Sequence, residues 1–153
     1  MVDAIGMLVS DFTHPPGVSK AGQIAKLAAS PQWHGGRYYE HDGMYETMLA
    51  MRWQTLQSYG LEKLYEDRIP DPQRRREAME APCRAWADQF DPNSLVTLAG
   101  AAEHFDVRAR VREIRSRVLC VQCTTDLIFP PTEETKHLLA SMPVPTRYVE
   151  LDS

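Results

Sequence analysis

A chain of 153 residues with 43% hydrophobic side chains has the length and apolar content of one ordinary domain with a core of its own. A net charge of -4 leaves no basic surplus to neutralise a phosphate backbone, which excludes nucleic acid as an expected partner. The longest apolar stretches, such as Ala4 to Val9, are too short to cross a bilayer, and the amino terminus lacks a basic region leading into a secretory core, so the expectation is a cytoplasmic protein with no membrane contact.

In chain order, Val2 to Ser10 is a short apolar run with Ile5, Met7, Leu8 and Val9, closed by the polar, proline-containing stretch Ser10 to Gly17. This pattern predicts a strand buried on both faces of a parallel sheet. It opens with no lead-in, so Met1 is expected to be internal to a longer chain. Ala21 to Ala29 is predicted as a helix stopped at Ser30-Pro31, because the residue before proline is pushed out of the helical region. A loop rich in glycine and aromatic residues, Gln32 to Tyr39, follows. Met44 to Tyr59 is predicted as a second helix, with Met48, Leu49, Met51, Leu56 and Tyr59 as its apolar stripe and Gly60 as its cap. Arg74 to Gln89 is a third, interrupted by Pro82, and Leu95 to Glu103 a fourth, after the punctuation of Asp91 to Ser94. Val107 to Ile114 reads as a short helix or turn, Val118 to Cys123 as a strand, Thr132 to Ser141 as a helix and Thr146 to Leu151 as a strand. Glu133 and Glu134 fit the partial positive charge of a helix amino terminus. Strand, helix, strand at that spacing is a parallel crossover, so the fold class is α/β, with about three strands and four or five helices. Three strands with unpaired edges are a poor design on their own.

Few residues have a setting suited to chemistry. Cys83, Cys120 and Cys123 are an odd number in a chain without a secretion signal, which argues against a disulfide framework. The C-x-x-C of Cys120 and Cys123 lies inside a predicted buried strand, whereas a redox or metal role needs the pair at a turn or helix start, so the match reads as accidental. His34, Glu40, His41 and Asp42 match no metal-ligand spacing and read as a polar loop. Asp126 follows the carboxyl end of the strand Val118 to Cys123, where open α/β sheets place catalytic groups. It equally fits a turn aspartate that binds nearby backbone amides.

The residues around Asp126 bear a family likeness. Val118 to Pro131, an apolar strand followed by Thr125-Asp126, Leu127-Ile128-Phe129 and Pro130-Pro131, resembles the homoserine O-acetyltransferase pattern, with Thr125 in place of the usual serine. Pro31 to Tyr39 resembles that family's Pro-x-Trp-x-Gly-Gly-x-Tyr loop, Phe90 to Leu95 its Phe-Asp-Ala-Asn-Ser segment, and His104-Phe105-Asp106 its Tyr-Phe-Asp. Tyr148 to Ser153 is similar to its last strand, which runs on into a Gly-His-Asp segment.

The resemblance implies part of an α/β-hydrolase fold, with residues 1–10 and 106–153 in the core domain and 11–105 as a helical lid. It implies Asp126 as the acid of a Ser-Asp-His triad, and Arg52 and Tyr59 as lid residues facing an amino-acid substrate. Those two lie seven positions apart, two helical turns, and so on one helix face. A guanidinium is suited to grip an α-carboxylate through two parallel hydrogen bonds. The competing reading has Arg52 solvated and Tyr59 in the core. The implied reaction moves an acetyl group from acetyl-CoA, a co-substrate with no bound cofactor, to the hydroxyl of homoserine in methionine biosynthesis. No serine here has the Gly-x-Ser-x-Gly setting of a nucleophile elbow, and no histidine follows Asp126 in a suitable place, since His137 reads as a helix-surface residue. The family's order of serine, acid, histidine would put the serine before Met1 and the histidine after Ser153. The partners expected are thus small-molecule substrates and the missing parts of the same chain, and exposed Met and Leu on the lid would suit a homodimer. An isolated chain is expected to be inactive. The rival readings are another esterase or acyltransferase of this fold, for example with serine as acceptor, and a non-catalytic helical interaction module.

Overall fold

The computed structural model describes residues 2–152; the expectations attached to Met1 and Ser153 lie outside the described residues. The chain divides into two compact units, one formed by the segment up to Ser19 together with Gly100 onward, the other by Lys20–Ala99.

The first unit holds a three-stranded parallel sheet in the order β1 (Ala4–Leu8), β2 (Arg117–Cys123), β3 (Thr146–Leu151). Met7 pairs with Cys120, and Cys120 with Tyr148, so side chains alternate in phase across all three strands. One face carries Ile5, Met7, Val118, Cys120 and Tyr148, which pack with Phe12, Val111, Leu139 and Met142 into the core. The other face carries Leu8, Leu119 and Leu151, which are exposed. The expectation that the first strand is buried on both faces is therefore corrected: β1 alternates between exposed and half-buried residues because its second face has no covering layer among the described residues. Between β2 and β3 runs α6 (Glu133–Ala140), where Thr132 caps the amino terminus by accepting from the Thr135 amide. Beyond β1 the chain turns to form an antiparallel bridge between Thr13 and Asp106. A 3-10 segment over Arg108–Glu113 precedes β2.

The second unit is helical. It contains α1 (Lys20–Ala28), two 3-10 turns over Pro31–Gly36 and Tyr38–Glu40, α2 (Tyr45–Ser58), α3 (Leu61–Arg68) and α4 (Pro72–Gln89); α5 (Pro92–Glu103) crosses the boundary. Its core gathers Leu27, Trp33, Tyr38, Met44, Met48 and Ala87. Gly60, at φ 70°, ends α2 by donating to the Gln57 carbonyl (2.9 Å), as the sequence predicts, and it also opens α3, a helix the sequence reading leaves out. Tyr59 closes α2 and is 65% exposed, which removes it from the predicted apolar stripe.

Two helix predictions are corrected at their starts. α4 begins at Pro72 because Asp71 caps it, its carboxylate accepting from the Arg74 amide at 2.8 Å, and proline at the first helical position forfeits no bond. α5 begins at Pro92, with Asp91 accepting from the Ser94 amide at 3.1 Å. Pro82 does not interrupt α4, which continues through it; packing of Met79, Cys83 and Ala87 holds the helix together across the missing bond.

Candidate active site

Three backbone features converge on Asp126. β2 ends at Cys123, the Asp126 amide donates to the Cys123 carbonyl (3.1 Å), and the chain doubles back into a turn. Within that turn Asp126 Oδ1 accepts from the amides of Ile128 (2.7 Å) and Phe129 (3.0 Å). An aspartate does this readily because its short side chain reaches its own backbone two and three residues on. Asp126 Oδ2 takes no part. It is shut off from solvent and has no hydrogen-bond partner among the described residues. A buried carboxylate oxygen left unmatched is costly and uncommon. The turn-aspartate reading of Asp126 is thus observed at one oxygen, Oδ1, which builds the turn, while Oδ2 takes no part in it.

The start of the turn is tied to the end of β3. The Thr124 amide donates to the Leu151 carbonyl (3.0 Å), and its hydroxyl to Asp152 Oδ1 (3.0 Å), so the chain leaving β3 runs beside the residues that lead into Asp126. On the core face of β2, Gln122 is wholly buried, a residue the sequence reading passes over because a single glutamine in an apolar strand looks like noise. Asp11, after β1, accepts from the Thr135 hydroxyl (2.9 Å) and the Phe12 amide (2.7 Å).

Arg52 and Tyr59 belong to the other unit. Arg52 lies between the buried Met48 and Leu56 on the side of α2 that meets α4, half-buried, with its guanidinium carbon 5.5 Å from the centre of the Trp86 ring. Its Nε is buried with no hydrogen-bond partner among the described residues. Beside it, burial pushes the Cys83 thiol up, and the positive charge of Arg52 opposes that shift. The reading of Arg52 as a solvated side chain is therefore overturned, and so is that of Tyr59 as core.

The two glycine- and asparagine-rich motifs are halves of one clamp. Tyr38 and Tyr39 donate to Asp91 Oδ2 (3.0 and 2.5 Å), the Asn93 amide donates to the Tyr38 hydroxyl (2.9 Å), and Asn93 Nδ2 donates to the Gly36 carbonyl (3.1 Å). Burial opposes the charge on Asp91, but the two tyrosine hydroxyls and the amides of Ser94 and Asn93 outweigh it and hold the carboxyl below its ordinary range. Burial, with the Tyr39 hydroxyl and the charge of Asp91, raises the Tyr38 phenol. The imidazoles of His34 and His41, tilted by 31° with centres 4.0 Å apart, lie in the same loop. Among the described residues no group of three or more histidine, cysteine, aspartate or glutamate side chains could hold a metal ion. Cys120 and Cys123 point to opposite faces of β2 and do not form a redox pair. His137 is exposed, as predicted.

No family model matches the chain. It is 26% identical over 130 residues to the homoserine O-acetyltransferase of Rhodopseudomonas palustris, covering 70% of this chain and 32% of that protein. To that of Trichormus variabilis it is 23% identical over 150 residues, covering 88% and 42%. The backbone matches the crystal structure of the homoserine O-acetyltransferase from Bacillus anthracis with a TM-score of 0.71 at 16% identity, over 100% of this chain and 48% of that one. It matches an acetylester hydrolase from Corynebacterium glutamicum with a TM-score of 0.69, also at 16% identity, over 98% and 47%. The chain therefore spans about two fifths or less of the curated relatives it matches and about half of the solved structures. With its parallel sheet and crossover helix, the chain has part of an α/β-hydrolase fold, and its sequence is similar to those of homoserine O-acetyltransferases.

Proposed function

We propose that this chain supplies the acid and the acceptor-binding elements of an acyltransferase that carries an acetyl group from acetyl-CoA to the hydroxyl of homoserine. The observation that carries the reading is the unmatched, buried Oδ2 of Asp126, fixed by the two amides on Oδ1 at the end of β2. A histidine contributed from outside residues 1–153 would donate its Nδ1–H to that oxygen, and its Nε2 would take the proton of a serine as the serine attacks the thioester carbonyl, then pass that proton to the coenzyme A sulfur as the carbon–sulfur bond breaks. The acyl-serine would then pass its acetyl group to the acceptor hydroxyl, which the same imidazole deprotonates, and the proton would go to the serine oxygen as its ester bond breaks. Asp126 keeps the ring in the required tautomer and offsets its positive charge. Arg52, with a donor already free of protein partners, would hold the acceptor's α-carboxylate, and Tyr59 would line the same site.

In a protein that joins these residues to such a serine and histidine, Asp126→Asn is expected to lower acetyl transfer on the order of 10⁴-fold with acceptor KM little changed. Retention of turnover by that variant overturns the proposal. Esterase relatives of comparable structural similarity favour a second reading, in which water is the acceptor. Release of acetate at the same rate with and without homoserine identifies the hydrolase, and acetate release suppressed by homoserine or serine identifies the transferase and its acceptor.

A further inference from the structure

We propose that Gln122 is the positioning residue of the Asp126 turn, anchoring it to the sheet through the Phe129 carbonyl. The inference deepens the reading of Asp126 as the acid and rests on it. Gln122 sits on the central strand, 0% exposed, on the face it shares with Val118 and Cys120. A primary amide buried there is unfavourable unless every polar atom is matched. It is matched by three separate segments: Nε2 donates to the Ser10 carbonyl beyond β1 (3.3 Å) and to the Phe129 carbonyl in the turn (3.4 Å), and Oε1 accepts from the Tyr148 hydroxyl on β3 (3.1 Å).

The division of labour follows from Phe129. Its amide is held by Asp126 Oδ1 and its carbonyl by Gln122, so the residue that fixes the carboxylate is itself fixed to the sheet. Asp126 folds the turn; Gln122 decides where the folded turn stands. An apolar residue of the same length would fill the space equally well and remove the side-chain link between the sheet and the Phe129 carbonyl.

Amide hydrogen exchange in residues 1–153 tests this, with the Val118 amide, bonded to the Pro145 carbonyl, as the reference within the sheet. Gln122→Met is expected to speed exchange at Ile128 and Phe129 about ten-fold relative to Val118, as loss of one net hydrogen bond implies, whereas Tyr148→Phe, which spares both N–H donors, keeps that ratio within about two-fold. Unchanged ratios in Gln122→Met, or equal rises in both variants, overturn the proposal, because a purely structural role accelerates the reference amide in step. Should Gln122→Met fail to fold, Gln122→Glu read above neutral pH carries the same test, since its carboxylate accepts from Tyr148 and donates nothing. Failure of the acid reading is seen separately: Asp126→Asn would then leave acetyl transfer intact in the joined protein, whatever the exchange rates at the turn.

Discussion

At Asp126, Arg52 and Asp106 the same kinds of charged group are used in three ways. Asp126 holds a turn with one carboxylate oxygen and leaves the other buried without a hydrogen-bond partner among the described residues. Arg52 is set in a buried stripe against Trp86 with its Nε unmatched, a place where a lysine would keep the charge and lose the fork. Arg52→Lys is therefore expected to raise the acceptor KM about ten-fold with kcat nearly unchanged in the joined protein, measured by initial rates. Asp106 is structural. The side chain and then the backbone amide of Arg108 bond it, and its carboxyl falls from 3.8 to about 2. Because the folded value is the lower one, its contribution to stability is complete above the ordinary value and is lost as pH falls through about 2. Thermal melts of Asp106→Asn should accordingly show a flatter dependence on pH across that acid window than melts of the parent chain.

Among the elements, the loop Pro31–Gly36 and the start of α5 form a single hydrogen-bonded unit. Gly36 stands at φ 92°, and a Cβ there would come within 3.2 Å of Asn93 Oδ1. Gly36→Ala combines backbone strain with a contact that displaces the clamp, and it is expected to destabilise the helical unit by roughly 1–3 kcal/mol in urea unfolding. Helix α4 tolerates Pro82 at the cost of one internal bond. Pro82→Ala should restore it and stabilise by roughly 1–3 kcal/mol, read as a higher urea midpoint at unchanged slope.

Taken as a whole molecule, the sheet is half-covered. Leu8, Leu119 and Leu151 are 67%, 39% and 47% exposed on the face away from the core, and parallel sheets ordinarily carry helices on both faces. Purified residues 1–153 should therefore bind an apolar dye, and Leu119→Lys should lower that binding without shifting the melting transition. The same preparation is expected to show no acetyl transfer from acetyl-CoA to homoserine, because neither a glycine-flanked serine nor a suitably placed histidine occurs in it. Turnover by residues 1–153 that disappears in Asp126→Ala would contradict this.

Periodicity and turn chemistry determined much of this protein directly from its sequence. The apolar run before Asp126, the acidic first turn after Thr132 and the strand from Thr146 to Leu151 are local signals, and the parallel crossover they predict is the one observed. The boundaries of α2 were equally legible, within one residue at each end, because Gly60 must stop it. What the sequence could not reveal depends on contacts between distant positions. That Gln122 serves Ser10, Phe129 and Tyr148 at once, that Asn93 matches Gly36, and that Arg52 lies half-buried over Trp86 while Tyr59 is exposed are consequences of packing, which one-dimensional spacing does not encode. Pro82 inside α4 makes the same point, since a local rule that forbids proline in a helix gives way when tertiary burial of the neighbouring turns outweighs one lost hydrogen bond.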